Sequence, residues 1–210
     1  MKFESKKRLE LVLSKLKGFG NPKVRAEQYK TPPDIAALAI WHAYMKNNLK
    51  GRVSADLGCG SGILGIGSLL MGSKRVYFID NDEEALKICE NNLDWIKSEF
   101  SGIGEFKILN KDITLFHKKV DIIFQNPPFG TKVKHADRDF LVKAFEISHV
   151  VYSFHKSETS RFVEAISKDN GMKIEERISL KMPLQAQFQF HRRKIYRINV
   201  DLYRIVRTDR

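Results

Sequence analysis

From residue 52 onward, short apolar β-branched runs alternate with helical ones, and this alternation restricts the chain to one class of fold. "RVSADLG" reads as a strand and "GILGIGSLLMG" as a helix of small residues; "KRVYFID" follows as a strand and "EEALKICENNLDWIKSEF" as a long amphipathic helix. "FKILNKD" and "VDIIFQN" are two further strands, followed by a helix over 138–149, the strand "VVYSFHK" and a helix over 157–169. Runs apolar on both faces suit parallel strands buried between helices. The last two segments, "KIEERISLKM" and "INVDLYRIV", alternate in part and read as antiparallel strands. The expected fold is therefore α/β: a doubly wound, mostly parallel seven-stranded sheet with right-handed crossovers and a C-terminal antiparallel hairpin.

Ahead of this core, Leu9, Val12, Leu13 and Leu16 stand at helical spacing within 3–17, and "GFGNPK" ends that helix. A second helix is expected after "TPPD", with Ile35, Leu38, Ala39 and Ala43 along one face. Without a repeat, low-complexity tract or linker, residues 1–210 are expected to form one domain. Residues 1–50 would be a helical cap and 51–210 the core.

The charged N-terminal stretch has no h-region, and no run of apolar residues is long enough to span a bilayer. Cys59 and Cys89 make no disulfide framework, and the six histidines show no metal spacing. A reducing, cytoplasmic setting without a bound metal is expected. The net charge of +12 is unevenly placed. Residues 1–30 hold nine Lys/Arg against three acids and residues 171–210 hold ten against four, while the middle holds eighteen of each. Basic ends around a neutral core suit a polyanion such as nucleic acid, or simply a lysine-rich solvated surface.

"ADLGCGSGILGIG" places a glycine-rich turn between a strand and a helix. Gly58, Gly60 and Gly62 allow a ligand close to the backbone. Asp80 ends the next strand about twenty residues on, where a carboxylate would hold a ribose diol, and Asp112 ends the strand after that. Asp56, inside the first strand, would bond loop amides or touch the cofactor. This succession resembles the Rossmann-like class I S-adenosylmethionine-dependent methyltransferases. By that resemblance Asp80 holds the ribose hydroxyls, Asp112 accepts from the adenine amine, and the backbone at Gly58 and Gly60 carries the methionine part.

"DIIFQNPPFG" ends a central strand at Asn126, followed by two prolines and Phe129. An exocyclic amine is a poor nucleophile because its lone pair is conjugated into the ring. Two fixed acceptors can hold its N–H bonds and turn the lone pair toward an electrophilic carbon. The Asn126 side-chain carbonyl and the Pro127 main-chain carbonyl suit that task, and Pro127 and Pro128 fix their directions. Phe129 could stack on a base, a contact of about 1–3 kcal/mol. Such catalysis rests on orientation and fixed dipoles, with no general base required. Asn-Pro-Pro-Phe after the fourth strand is a mark of amino-group methyltransferases.

"EQYKTP", "NPPFGTK", "VYSFHKS" and "QFHRRK…INVDLYR" extend the likeness over nearly the whole chain. Together they resemble the small ribosomal-RNA adenine-N6 methyltransferases of archaea and eukaryotes, which modify a small-subunit rRNA. The resemblance places Gln28 and Thr31 at the methionine end of the cofactor, and Ser61 and Ile63 beside Gly58, Asp80 and Asp112. Ser61 replaces a cysteine found in some members. His155 and Lys156 would grip RNA, or merely end a strand before a helix cap at Ser157. The basic turn with Phe190, Arg192, Arg193 and Lys194 would meet phosphates and stack bases, or else form a solvated hairpin tip. Eukaryotic members bind a small zinc-binding activator that adds a strand to the sheet edge, here at Phe106–Asn110.

Two further substrates stay open on the residues alone. A glutamine side-chain amide poses the same conjugation problem and is served by a closely similar motif. A guanine N2 amine is equally conjugated. A non-enzymatic RNA-binding role is opposed by the joint presence of Asn126, Asp80 and the glycine turn.

Overall fold

A computed structural model describes residues 3–18, 31–128, 136–185 and 195–208. Among them lies one seven-stranded sheet in the order β3-β2-β1-β4-β5-β7-β6. The strands are β1 Val53–Leu57, β2 Arg75–Asp80, β3 Glu105–Asn110, β4 Val120–Gln125, β5 Ser148–Lys156, β6 Met172–Gln185 and β7 Ile195–Arg207. β1 to β5 are parallel, and β7 is antiparallel to both β5 and β6. This is the expected class I methyltransferase arrangement, with β3 and β6 as its two edges.

The helices are α1 Lys6–Leu13, α2 Pro33–Met45, α3 Ile63–Leu70, α4 Glu83–Glu99, α5 Ala136–Ile147 and α6 Ser160–Asp169. Two apolar clusters lie on opposite faces of the sheet. One joins α1 to α4 with Val76, Phe78, Ile122, Phe124, Tyr152 and Leu202. The other joins α5 and α6 with Leu57, Ile79, Ile123, Val151 and Tyr203. Alternate strand residues therefore serve alternate faces, and the sheet is wound on both sides.

α2 is buried along Ile35, Ala36, Ala37, Ala39, Ile40 and Ala43, because α1 covers its outer side with Leu9 and Leu13. α3 is squeezed in turn between α2 and β2. A Cβ at Gly65 would come within 2.3 Å of the Phe78 ring, and one at Gly67 within 2.9 Å of Ile40. The small residues of α3 thus set how closely α2 approaches the sheet.

Element ends depart from expectation in three places. α1 is shorter than 3–17: Ser5 caps it by accepting from the Arg8 amide at 3.2 Å, although Leu16 beyond its end remains buried. α5 and β5 begin two residues early, since Ser148 already pairs with Val120. α6 starts only after a single 3-10 turn at Ser157–Thr159. No helix among the described residues is long and apolar enough to cross a membrane.

Candidate active site

The glycine turn after β1 is tied to β2 by two bonds. The Cys59 amide donates to Ile79 O at 3.0 Å, and the Gly60 amide to Asp80 Oδ2 at 2.8 Å. Gly62 caps α3 at φ 84°, a backbone state that disfavours any side chain. Gly58 is also left-handed at φ 64°, and a Cβ there would lie 2.8 Å from the Phe140 ring. The turn lies at the carboxyl end of the sheet, where ligands of open α/β folds bind, with the Phe140 ring packed closely on Gly58.

Asp56 is 2% exposed and accepts from the Gly65 amide at 2.7 Å. Burial pushes its carboxyl well above the usual range, although that amide bond pulls the other way. Its bond is to the first turn of α3, a helix amide rather than a loop amide. Asp80 accepts from Gly60 with one oxygen and from the Asp82 amide at 3.0 Å with the other. Burial raises its pKa, and the amide bonds partly offset this. Each carboxylate oxygen has two lone pairs, so Asp80 keeps acceptor capacity for a diol.

Asp112 lies two residues past the end of β3 rather than on it. It is exposed and caps a short 3-10 turn, accepting at Oδ1 from the Thr114 amide (2.9 Å) and hydroxyl (2.6 Å). Ser61 and Ile63 are buried, so their side chains face the fold while the backbone borders the turn.

Asn126 follows β4 directly. Its Nδ2 donates to Thr31 Oγ1 at 3.0 Å, whereas its Oδ1 is buried without a hydrogen-bond partner. An unmet buried acceptor costs about 1–3 kcal/mol, so a group that donates to it is strongly favoured there. Pro127 is buried beside it. An orphaned carbonyl and a carboxylate with spare lone pairs beside the glycine turn suit a nucleoside-bearing methyl donor with an amine substrate alongside. Among the described residues no cluster of metal-ligating side chains occurs.

His155 does not fit its expected role in gripping RNA. β5 pairs with β7 as far as Lys156, so His155 is enclosed at 2% exposure. Its Nε2 lies 2.7 Å from Ser153 Oγ, its ring meets Tyr203 edge-on, and burial pushes its pKa down to about 3. A neutral, enclosed imidazole offers nothing to a phosphate. Lys156 alone of the pair reaches the surface, 3.4 Å from Glu158. Ser157 opens a 3-10 turn whose N-cap is Lys156, and Thr159 stands at the cap of α6. Gln28, Phe129, Phe190, Arg192, Arg193 and Lys194 lie outside the described residues.

Two contributors escape sequence reading. Asn92 on α4 is 2% exposed and ties the glycine turn to the N-terminal segment. Its Nδ2 donates to Ser61 O (2.9 Å) and Lys17 O (3.0 Å), and its Oδ1 accepts from the Lys17 amide (2.8 Å). The available signal was its spacing, three residues after Cys89 on the apolar face of the helix.

The second contributor is the β6–β7 ribbon. β5 stops opposite Val200, but β7 continues through Ile195–Asn199 and β6 through Lys181–Gln185. At about 3.4 Å per residue the ribbon rises roughly 17 Å beyond β5, on the side where β4 delivers Asn126. One face of it packs inward through Leu180, Met182 and Ile198. The other shows exposed Arg177, Lys181, Arg197 and Asn199. Arg177 is paired with buried Asp201 at 2.6 Å. Burial alone would raise the Asp201 pKa, but bonds from Ser179, Arg177 and Ser157 outweigh it and hold it low.

Comparison with known proteins agrees with this geometry. Residues 31–148 match the methyltransferase small-domain family. MJ0284 of Methanocaldococcus jannaschii, a protein of uncharacterised activity, is 35% identical over 95% of this chain and 93% of its own. METTL5 of Danio rerio, named an rRNA N(6)-adenosine-methyltransferase, is 33% identical over 96% of this chain and 99% of its own. The crystal structure of PH1948 from Pyrococcus horikoshii, a proposed RNA methyltransferase, is 46% identical with a TM-score of 0.89 over the whole of both chains.

Proposed function

Because the chain belongs to the methyltransferase small-domain family and, through full-length likeness, to the METTL5 methyltransferases, we propose that it methylates the N6 amine of an adenosine in small-subunit rRNA. The observation that carries this reading is the buried Asn126 Oδ1, an acceptor with no partner of its own. The methyl donor is S-adenosyl-L-methionine, which supplies an electrophilic methyl carbon on a sulfonium.

Asp80, Asp112 and the backbone at Gly58, Gly60, Ser61 and Ile63 are the groups that would hold it, with Gln28 closing the methionine end. Asn126 Oδ1 and the Pro127 carbonyl would accept the two N–H bonds of the adenine amine, with Phe129 stacked on the base. A donor held there would supply its methyl group to the oriented amine lone pair and leave as the thioether, and the surplus proton would go to water. Fixed acceptors that meet the charge developing on the amine reduce the barrier without reorganising, an effect of about 10²–10³ in rate for one such group elsewhere.

The polar face of the ribbon supports RNA as the carrier of that adenosine. Lys181 and Arg197 stand on the stretch of ribbon that runs beyond the carboxyl end of β5 and meet no carboxylate among the described residues. Lys156 and the basic turn at 190–194 would extend the same track. On this reading a small zinc-binding activator would pair with β3, whose outer side carries no strand among the described residues.

The experiment combines the protein, methyl-labelled S-adenosylmethionine and unmodified small-subunit rRNA, followed by nucleoside mass spectrometry. Labelled N6-methyladenosine is expected, and it should vanish with Asn126→Ala. Label in N2-methylguanosine, or on a glutamine side chain when ribosomal proteins are supplied in place of the rRNA, would replace this reading.

A further inference from the structure

Asn126 and Thr31 come from distant parts of the chain, and each stands directly before two prolines, in Thr31-Pro32-Pro33 and Asn126-Pro127-Pro128. Proline fixes its own φ and restricts the residue before it, so both backbones are stiff where they meet. One soft rotor remains, the amide plane of Asn126, because a terminal torsion to an sp² centre has a broad, roughly two-fold profile. The Thr31 hydroxyl engages one edge of that plane at 3.0 Å. The opposite edge, with Oδ1, faces no donor.

We propose that Thr31 is a positioning residue for methyl transfer, its hydroxyl fixing the amide plane of Asn126 so that one edge of it is held toward the incoming amine. This rests on the methyl-transfer reading above and gives Thr31 a task other than cofactor contact. A hydroxyl can accept from Nδ2 or donate to Oδ1. The bond therefore sets the plane, and the substrate selects the edge: an outward NH2 would oppose donor to donor, whereas an outward oxygen is completed by the amine. A plane fixed beforehand need not be ordered during the reaction.

The support behind Thr31 is itself rigid. α2 begins at Pro33 and is anchored to the sheet by His42, whose Nδ1 lies 2.9 Å from Tyr152 OH and whose Nε2 lies 2.9 Å from Glu176. Lys46 reaches the same glutamate at 2.6 Å. Thr31, 5% exposed, is thus held at the start of a helix locked to β5 and β6.

Thr31→Val keeps the shape and removes the hydroxyl, whereas Thr31→Ser keeps the hydroxyl. With saturating S-adenosylmethionine and rRNA, Thr31→Val is expected to lower kcat roughly tenfold, near the upper end of what one hydrogen bond contributes. Cofactor Kd and RNA KM should stay within about twofold, and Thr31→Ser should restore kcat. A second readout needs no substrate. The side-chain NH2 pair of Asn126 in the free full-length protein, identified by its loss in Asn126→Asp, should shift upfield and exchange faster with water in Thr31→Val.

A cofactor Kd that rises in step with the lost rate, with recovery at saturating cofactor, would make Thr31 a cofactor contact and overturn the proposal. So would an unchanged kcat or an unchanged NH2 pair. A wild type that methylates no RNA overturns the methyl-transfer reading. A Thr31-dependent NH2 pair would then mark that reading as the part that failed.

Discussion

Acid should destabilise this protein through His155, by an amount its surroundings set. The imidazole is enclosed between β5, β7 and Tyr203, and burial pushes its pKa from 6.5 down to about 3. In the window between those values the unfolded chain takes up a proton that the folded chain refuses. Stability that is whole above pH 6.5 is therefore lost as pH falls toward 3. In mid-window the slope of one proton is about 1.4 kcal/mol per pH unit, which integrates to roughly 2–3 kcal/mol between about pH 7 and 4.5. The perturbation is His155→Gln, which keeps polar atoms near Ser153 but cannot titrate.

Urea unfolding of both proteins across that range isolates the effect, because carboxylates titrate alike in the two and cancel in the difference. Whatever the cost of the substitution at neutral pH, the wild-type advantage should shrink by about 2–3 kcal/mol on acidification. Two stability curves that stay parallel would mean that His155 accepts its proton within the folded state. The enclosed position would then be refuted, and the residue would return as a candidate RNA contact.

Asn92→Ala removes three hydrogen bonds at a buried position, and a loss of about 2–3 kcal/mol is expected in thermal or urea unfolding. Exchange at the Lys17 amide, followed by NMR, should speed up in that variant, and unchanged exchange would deny the tie between the glycine turn and the N-terminal segment. Lys181→Glu together with Arg197→Glu should weaken rRNA binding across sequences and flatten its log–log salt dependence by about two, one for each phosphate left unneutralised. A salt slope equal to the wild type would take the ribbon out of the interface.

The core of the fold was legible because buried parallel strands leave continuous apolar runs, and α3 could be read from small residues that no exposed helix requires. Asn126 was legible for a different reason, since two prolines after a central strand have no use in a ladder and so point to a fixed geometry. His155 was not, because its environment depends on how far β7 runs alongside β5. That register is a long-range fact, which "SFHKS" does not contain. Asn92 was hidden for a related cause: an asparagine in a helix reads as solvent-facing until its bonding partners arrive from two other segments. Asp112 reads as the end of a strand because "FKILNKD" gives no sign that β3 stops at Asn110. For Thr31 the resemblance offered a cofactor position, and the bond to Asn126 came only from tertiary structure.

The two edges of the sheet differ in what they can accept. β6 is fourteen residues long, yet it is broken by an irregularity between Ile174 and Glu176, lacks a donor at Pro183 and exposes Lys173, Arg177 and Lys181. Each of these features discourages another strand from joining. β3 has six residues in unbroken register with β2, from Arg75↔Glu105 to Asp80↔Asn110, with neither proline nor bulge. Backbone-to-backbone growth is therefore open on one side only, and it leaves the ribbon free for a polyanion. Self-association by that route would bury the single receptive edge of each copy, so it closes at a pair of chains and cannot propagate into a fibre.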